Sequence, residues 1–537
     1  MIGDDIRVIP VVPVRWSEAG LDGIELPSAR LGGSTPEHGQ GQPEAVGLWD
    51  ALAAAHVIED VVVGPPPVAA GLWRVLTLVA ARVTGLDHPG DAGDRRRAIR
   101  WLERREEVLR QGRFDWAKVD EYFGSTYASR FGLFDVDRPW LQDPRLAVEC
   151  VAPSGLNKLV LGRPAGNNQP WMEHHHDKLS VPISAVEAAH HLLGQLYYGA
   201  PGRCTARAVG KTKEANTTAG PLRGLISYQP VGANLFESLV ASIPYPKDRD
   251  EQWDKAPWEL DVLPDPLQAP PPVSGVGGLL AGRFRHAILL VPSPDAAAVT
   301  DAYLTWAWRL PQGPVQDPFL IYQTSRKGEP YARAADAGRA LWRDLDGLLL
   351  NDVGTAHARR PVIFDQAERL PAAMLDRLRV RAFGFDQDRA QVNDRQWYAA
   401  ETPPVLAMLN DPEASLAVSR AREAAERVER HLVQALRNAW TAINDPSNGN
   451  GRPARSDIKP GPWPAVASSH YWFDAEEQFW RLVRSKGFQD AARRFVGLGL
   501  RVFDAVTGDV SSPRAVRAVE NARGYIFRAA TTSTGRA

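Results

Sequence analysis

The pattern of apolar residues changes near residue 400, and this change constrains the fold more than any other feature of the chain. Beyond it, apolar side chains recur every three or four positions: Val418, Ala421, Ala425, Val428, Leu432, Leu436 and Trp440. That spacing puts them on one face of a helix. Three more stretches with helical spacing follow, near residues 471–485, 489–506 and 513–530. We therefore predict a C-terminal four-helix bundle over residues 400–537, with a Pro-, Gly- and Asn-rich linker at 444–464 inside it.

Before residue 400 the chain mixes helix and strand patterns. Helical spacing marks residues 46–57, 68–83, 94–111, 183–198 and 235–243, and short apolar runs predict buried strands at 287–291 and 319–322. The helix at 94–111 is highly charged, so we expect it to be solvated over most of its surface. A chain of 537 residues is also too long for a single core. We therefore expect an α+β protein, with a large mixed domain over residues 1–399 followed by the helical bundle.

A hairpin is predicted just before the bundle. Apolar and basic residues alternate in the order Arg377, Leu378, Arg379, Val380, Arg381, Ala382. A period of two is typical of a half-buried strand. Residues 386–388 begin a turn, and residues 391–398 supply the return strand.

Two regions are locally basic although the net charge of the chain is only −1. Residues 199–220 are rich in Gly, Lys, Arg and Thr, which predicts a long loop. Five cations between residues 199 and 224 face one acid, Glu214: they are Arg203, Arg207, Lys211, Lys213 and Arg223. Residues 481–537 contain 11 Lys and Arg against 4 Asp and Glu. Both regions suit phosphate contacts, but composition alone favours this no more than an ordinary solvated surface.

Other bulk features exclude several classes of protein. The net charge argues against a protein that coats nucleic acid over its whole surface. Residues 1–5 are acidic where a signal peptide is basic, and no stretch approaches the roughly 18 apolar residues of a membrane span. We therefore expect a cytoplasmic protein without membrane contact. The only cysteines, Cys150 and Cys204, exclude a disulfide framework and a four-cysteine zinc site.

The cluster Glu173-His174-His175-His176-Asp177 is the most conspicuous candidate for metal chemistry. Its His-Asp pair is like that of metal-dependent phosphohydrolases. Consecutive histidines, however, cannot all face one ion, since ligands on a helix sit three or four residues apart and ligands on a strand two apart. We expect hydrogen bonds that order a loop, with no metal, no cofactor and no catalytic residue. A metal-dependent phosphohydrolase that uses residues 174–177 remains the alternative function.

Several segments, in one order over most of the chain, resemble the CasA family, the large subunit of the type I-E CRISPR surveillance complex Cascade. The matching segments are residues 8–14, 65–83, 134–142, 158–160, 166–168, 173–177, 220–224, 234–239, 258–259 and 338–344. No single segment is decisive, but their common order, followed by a four-helix bundle, is specific.

The resemblance implies a non-catalytic subunit that recognises the short motif beside a target in double-stranded DNA and helps to open the duplex. Base pairing with the CRISPR RNA would read the target, and protein only the flanking motif. Family members read that motif from the minor groove, whose donor and acceptor pattern is degenerate. The implied partners are CRISPR RNA, target DNA, the other Cascade subunits and the separate nuclease-helicase, which the bundle helps to recruit.

The resemblance also assigns residues. The loop containing Trp171, Met172, Glu173 and His174 is similar to the family loop that contacts the guide RNA's 5′ end and neighbouring subunits. That assignment explains the histidine cluster without a metal.

Two further elements are assigned to DNA. The loop at 199–210 resembles the glycine loop that faces the minor groove, with Gly202 or Gly210 making the close approach. The cations assigned to DNA beside them are Arg203, Lys211 and Lys213. The turn at 388–391 resembles the wedge inserted beneath the motif, with Gln391 at its tip and Arg389 as the second choice.

The chain also departs from the family pattern. Arg203, Cys204 and Thr205 replace the dense glycines of the family loop, so motif preference is expected to differ. The family's motif-reading lysine has no Lys at the matching place near Tyr303, where Arg309 is the candidate substitute. A scaffold protein that touches no DNA is the third hypothesis.

Overall fold

The computed structural model describes residues 4–18, 20–21, 24–28, 44–90, 95–165, 174–175, 180–247, 249–313, 315–351, 357–388, 393–444, 459 and 461–530. The chain forms two compact units. The first comprises Met1–Arg339 and Gly354–Ala407, and the second Ala340–Val353 and Met408–Ala537. The first unit contains both helices and strands, whereas the described secondary structure of the second unit is entirely helical. The predicted α+β class is therefore confirmed.

The first unit contains thirteen described strands in small antiparallel sheets. They are β1 (Val12–Trp16), β2 (Ala45–Val46), β3 (Ile58–Val61), β4 (Ile183–Ser184), β5 (Gly202–Val209), β6 (Thr212–Thr217), β7 (Ile226–Val231), β8 (His286–Pro292), β9 (Ala298–Trp306), β10 (Tyr322–Thr324), β11 (Pro330–Ala332), β12 (Arg379–Asp388) and β13 (Asn393–Glu401). The sheet orders are β2-β1-β3, β4-β9-β8, β5-β6, β10-β11 and β13-β12-β7.

The first unit also contains eleven described α-helices. They are α1 (Leu48–Ala53), α2 (Pro66–Thr84), α3 (Arg97–Gln111), α4 (Trp116–Asp120), α5 (Leu146–Glu149), α6 (Leu156–Leu159), α7 (Ala185–Tyr198), α8 (Leu235–Ser242), α9 (Gly275–Ala281), α11 (Val362–Ala367) and α12 (Ala372–Leu375). Helix α7 is capped at its N-terminus, since the Ser184 side chain accepts a hydrogen bond from the Glu187 backbone N–H.

Helix α2 is the core helix of the first unit. It is long and apolar enough to span a membrane, so the expectation that no stretch of the chain reaches this length is wrong. The helix is covered by its neighbours α7, α8, α9 and β12, however, and 89% of its apolar stretch is buried. That burial accounts for its composition. Its buried Arg74 is neutralised by Asp317, with 2.9 Å between Nη1 and Oδ2.

Two local predictions need correction, and a third is confirmed. Residues 199–220 are not a loop: they form the β5–β6 hairpin. Of residues 319–322, only Tyr322 belongs to a strand, while Leu320 makes a single bridge to Ser227. Helix α3 is solvated over most of its surface, as expected, and only Trp101 and Arg105 on one side of it are buried.

The hairpin predicted near residue 380 is confirmed, as strands β12 and β13 pair antiparallel. Strand β12 also pairs with β7 on its other edge, so it is the central strand of this sheet. Its apolar side chains, Val380 and Ala382, are buried, as the alternation predicts. The turn at 389–392 lies outside the described residues.

The described part of the second unit contains four α-helices from the C-terminal part of the chain and one short α-helix from the separate segment 340–353. The helices are α10 (Leu345–Leu349), α13 (Pro412–Asn444), α14 (Trp463–Ser485), α15 (Ala491–Thr507) and α16 (Pro513–Arg523). Helix α14 begins earlier than predicted because Pro464 lies in its first turn, where proline is tolerated. The segment 340–353, which the sequence places in the mixed domain, packs here: the Trp342 ring stacks on Phe479 with 4.5 Å between centroids.

Candidate nucleic-acid interface

Within the first unit, the β5–β6 hairpin packs against β9. The Thr305 hydroxyl donates to the Thr205 carbonyl at 2.6 Å, and the Trp306 indole N–H donates to the Glu214 carbonyl at 3.1 Å. At the foot of the hairpin, the Gly220 N–H donates to the Gly199 carbonyl at 2.9 Å. One side of the hairpin is therefore fixed against the unit, and the other faces solvent.

Arg207 belongs to the fixed side. Its guanidinium is fully buried and donates to Glu149 Oε2 at 2.6 Å and to Asp143 Oδ2 at 2.8 Å. Burial acts to raise the pKa of Asp143, but the hydrogen bonds from Arg145 and the charge of Arg207 outweigh it and lower that pKa. Arg207 is one of the five cations of this basic stretch, but it neutralises Asp143 and Glu149 and is unavailable to phosphate.

The exposed cations of the hairpin are Arg203, Lys211 and Lys213. Arg203 lies opposite Asn216 and Lys213 lies opposite Ala208 in the strand register, while Lys211 lies in the turn between the strands. All three residues predicted to contact DNA by their charge are thus accessible to a phosphate backbone.

The two glycines predicted to approach DNA lie at opposite ends of the hairpin. Gly202 begins β5 with φ +115°, and Gly210 lies in the turn with φ +57°, both in the region that favours glycine. A strand of eight residues spans about 25 Å at roughly 3.3 Å per residue. Only one of the two can therefore make a given close approach to the groove. Nothing in the described protein lies within 4 Å of a Cβ at either position, so the backbone is open there.

The far end of β12 lies against the segment that follows β6. The Arg223 guanidinium lies 5.3 Å from the centre of the Phe385 ring and donates to the Tyr198 carbonyl at 2.8 Å. A Cβ on Gly224 would lie 3.0 Å from Gln387 Oε1. The structure therefore connects the foot of the first hairpin with the strand that leads into the predicted wedge.

Five other predicted site residues lie outside the described part of the chain: Trp171, Met172, Glu173, Arg389 and Gln391. His174 is described and exposed.

The metal hypothesis gains no support from the described part of the chain. There, no group of three or more His, Cys, Asp or Glu side chains could hold an ion. His176 and Asp177 of the candidate cluster lie outside it.

Burial raises the pKa of the Cys150 thiol to about 11, so this cysteine remains protonated at neutral pH.

A cleft that the sequence did not reveal opens beside the foot of the β5–β6 hairpin. It has a volume of about 320 Å³. Its polar lining includes Asn216, Thr217, Arg285 and Arg309, and two tryptophans, Trp306 and Trp308, complete it. Arg309, predicted to replace the family's motif-reading lysine, therefore faces a cleft adjoining the hairpin.

A family model described as CRISPR-associated protein Cse1 matches residues 36–498 of the chain. The chain belongs to the Cse1 family. Solved structures of this family carry the names CasA and Cse1 together, so the predicted resemblance to CasA is confirmed. Among curated proteins, none matches the chain.

Solved structures agree with this assignment to Cse1. A chain of a structure entitled "CRISPR RNA-guided surveillance complex" is 41% identical, with a TM-score of 0.82 over 97% of this chain and 99% of that one. CasA (Cse1) of Thermus thermophilus is 18% identical, with a TM-score of 0.72 over 99% of both chains. Cse1 of Thermobifida fusca is 17% identical, with a TM-score of 0.74 over 98% of both. The last two show the shared fold.

The helical unit of this Cse1-family chain presents its own exposed cations. Within residues 481–530 they are Arg481, Arg484, Lys486, Arg493, Arg494, Arg501, Arg514, Arg517 and Arg528. Arg481 is paired with Glu477, and the half-buried Arg523 is paired with Asp504 at 2.8 Å. The local surplus of basic residues therefore lies mainly on the surface of the unit.

Proposed function

We propose that this chain is the large, non-catalytic subunit of a type I-E RNA-guided surveillance complex, and that it recognises the motif flanking a target in double-stranded DNA. The observation that carries the proposal is the 41% identity, over 97% of the chain, with a chain of a CRISPR RNA-guided surveillance complex. A protein of that complex has CRISPR RNA and the other Cascade subunits as partners. We assign RNA or subunit contact to Trp171, Met172, Glu173 and His174.

In this proposal the exposed side of the β5–β6 hairpin faces the DNA. Arg203, Lys211 and Lys213 contact phosphates, which positions the protein on the duplex without reading sequence. Either Gly202 or Gly210 allows the backbone to approach the minor groove. The open space at both positions supports this arrangement.

The turn between β12 and β13 is the proposed wedge. Gln391, or Arg389 if the register differs, enters the duplex beneath the motif and holds the first base pair apart, which starts R-loop formation. Such unstacking costs about a few kcal/mol per step and is offset by groove contacts. The pairing of β12 with both β13 and β7 supports this role, because a wedge needs a rigid base.

The cations of the helical unit serve the displaced strand and the nuclease-helicase in the same proposal. A positive surface attracts a single strand through its phosphates. The exposure of most of these cations supports this role.

Capture of targets by the assembled complex tests the wedge. Gln391→Ala is expected to weaken binding of a double-stranded target about tenfold or more, given the cost of an unstacked step. It should spare a target whose strands are already separated beside the motif. Gln396→Ala, an exposed glutamine of β13, is the control and should bind both targets normally. Equal losses on the two targets would contradict the wedge.

A further inference from the structure

The cleft beside the β5–β6 hairpin has the size and lining of a small binding site. Its volume of about 320 Å³ is at the lower end of the range for ligand clefts, about 300–1,000 Å³. The end of β6 forms one wall, Arg285 before β8 a second, and Trp308 with Arg309 after β9 a third. Such a cleft accommodates one small chemical group rather than a large ligand.

Arg285 differs from Arg74 and Arg283 of the same unit, because it has no carboxylate partner among the described residues. Arg74 and Arg283 both donate to the carboxylate of Asp317 at 2.9 Å. Within the described residues, by contrast, the hydrogen bond of the Arg285 side chain runs from Nη1 to the Ala219 carbonyl, and its length of 3.5 Å makes it weak. Burial, and next the charge of Arg283, lower the pKa of Arg285. A bound anion would relieve this desolvated positive charge.

Arg309 supplies a second cation to the same cleft. Its guanidinium lies 5.3 Å from the centre of the Trp306 ring, which orients it. The Glu214 carboxylate lies 3.7 Å away, beyond hydrogen-bond distance. Since a guanidinium has five N–H donors, Arg309 retains donors for a ligand.

We propose that this cleft is a subsite for one phosphodiester group of nucleic acid, held between Arg285 and Arg309. The planar guanidinium matches two phosphate oxygens at once. The Trp308 indole beside it offers a surface for the adjoining sugar or base.

The position of the cleft favours nucleic acid over a carboxylate of a partner protein. Asn216, which lines the cleft, lies opposite the exposed Arg203 in the strand register. The cleft therefore continues the row of exposed cations on the hairpin. This inference rests on the proposed function and extends the DNA- or RNA-facing surface from the strands of the hairpin to its foot.

The salt dependence of binding tests the subsite in the full chain. Dissociation constants are measured over a range of salt concentrations for a short DNA duplex and for a single-stranded RNA of equal length. Arg285→Gln and Arg309→Gln are each expected to reduce the slope of log affinity against log salt by about 0.9 for the duplex or about 0.7 for the single strand. The polymer whose slope changes identifies the source of the phosphate.

Lys327→Gln is the matched control, because it removes one charge from an exposed turn outside the cleft. The thermal midpoint of each variant reports its folding. The Arg309 side chain is 32% exposed, so its variant keeps the test valid should Arg285→Gln fail to fold.

The outcomes separate this inference from the proposed function. Unchanged slopes in both arginine variants, with a reduced slope in the double variant Lys211→Glu/Lys213→Glu, would overturn the subsite and leave the hairpin as the DNA-binding element. Unchanged slopes in all variants would contradict both. If the arginine variants instead lose partner subunits during purification and keep their slopes, the cleft binds a protein carboxylate, and the inference is wrong.

Discussion

Arg207 is buried in the middle of a strand whose neighbouring cations are exposed. Its guanidinium satisfies two acids, Asp143 and Glu149, and the Trp306 carbonyl, to which Nη1 donates at 3.1 Å. A buried ion pair adds little net stability, but removing one partner leaves the other charge buried without compensation. Arg207 is therefore a residue whose loss should affect folding and not DNA binding.

Arg207→Met should destabilise the first unit by about 3 kcal/mol, the lower end of the range for breaking a buried pair. Thermal or urea unfolding measures the loss. Arg203→Met is the matched control: it removes an exposed arginine from the same strand and should leave the stability nearly unchanged while weakening DNA binding. Similar stabilities for the two variants would show that the internal ion pairs do not matter.

At the scale of elements, the β5–β6 hairpin separates structural from exposed charge. The side towards β9 carries Cys204 and Arg207, and the solvent side carries Arg203 and Lys213. Lys211 in the turn extends the exposed charge to the tip. A hairpin fixed along one face can present these cations at constant spacing, which suits repeated phosphate contacts.

Reversing both lysine charges tests the tip. Lys211→Glu/Lys213→Glu should lower the magnitude of the salt slope for duplex binding by about 2, since each lost phosphate contact contributes about 0.9. Lys247→Glu/Lys327→Glu makes the same change in net charge at two exposed positions elsewhere in the first unit. Equal slopes for the two double variants would remove the hairpin from the DNA interface.

The two hairpins show what sequence patterns can predict. Strand β12 was predictable because Val380 and Ala382 alternate with arginines, and burial follows that alternation. Strand β5 was not, because its buried positions include Arg207, whose acidic partners lie far away in the sequence. A polar side chain that is neutralised internally leaves no apolar pattern to detect.

The candidate site was predictable only in part. The exposed cations Lys211 and Lys213 could be named because they lie in one short basic stretch. The cleft could not, since Arg285 and Arg309 become neighbours only through the pairing of β8 with β9, in which His286 lies opposite Trp306. The sequence patterns predicted β8 but not β9, so they could not reveal this proximity.

At the scale of the whole molecule, buried histidines make stability depend on pH. Burial lowers the pKa of His286 to about 4, although a hydrogen bond to the Ala200 carbonyl partly opposes this. In the unfolded chain the pKa is about 6.5. Between these values the unfolded state binds a proton that the folded state does not. The contribution of His286 to stability is therefore complete above about pH 6.5 and is lost as the pH falls towards 4.

Because of His286, the free energy of unfolding is expected to fall by about 2 kcal/mol when the pH is lowered from 7 to 5. Unfolding by urea at the two pH values measures this difference. In His286→Gln the difference should shrink by that amount, whatever the stability of the variant at pH 7. His470→Gln, which removes an exposed histidine of the helical unit, should not alter it. An unchanged difference in His286→Gln would show that this histidine is already protonated in the folded protein.

The membership of residues 340–353 in the helical unit has a consequence for synthesis on the ribosome. Trp342 is translated before β12, the strand that pairs with β7 in the first unit. It is translated long before Phe479, on which its ring stacks. At a translation rate of about 5–20 residues per second, the tryptophan waits on the order of 10 s for its partner. The nascent chain must therefore carry an exposed indole through the completion of the first unit, which makes this short segment a natural site for chaperone protection.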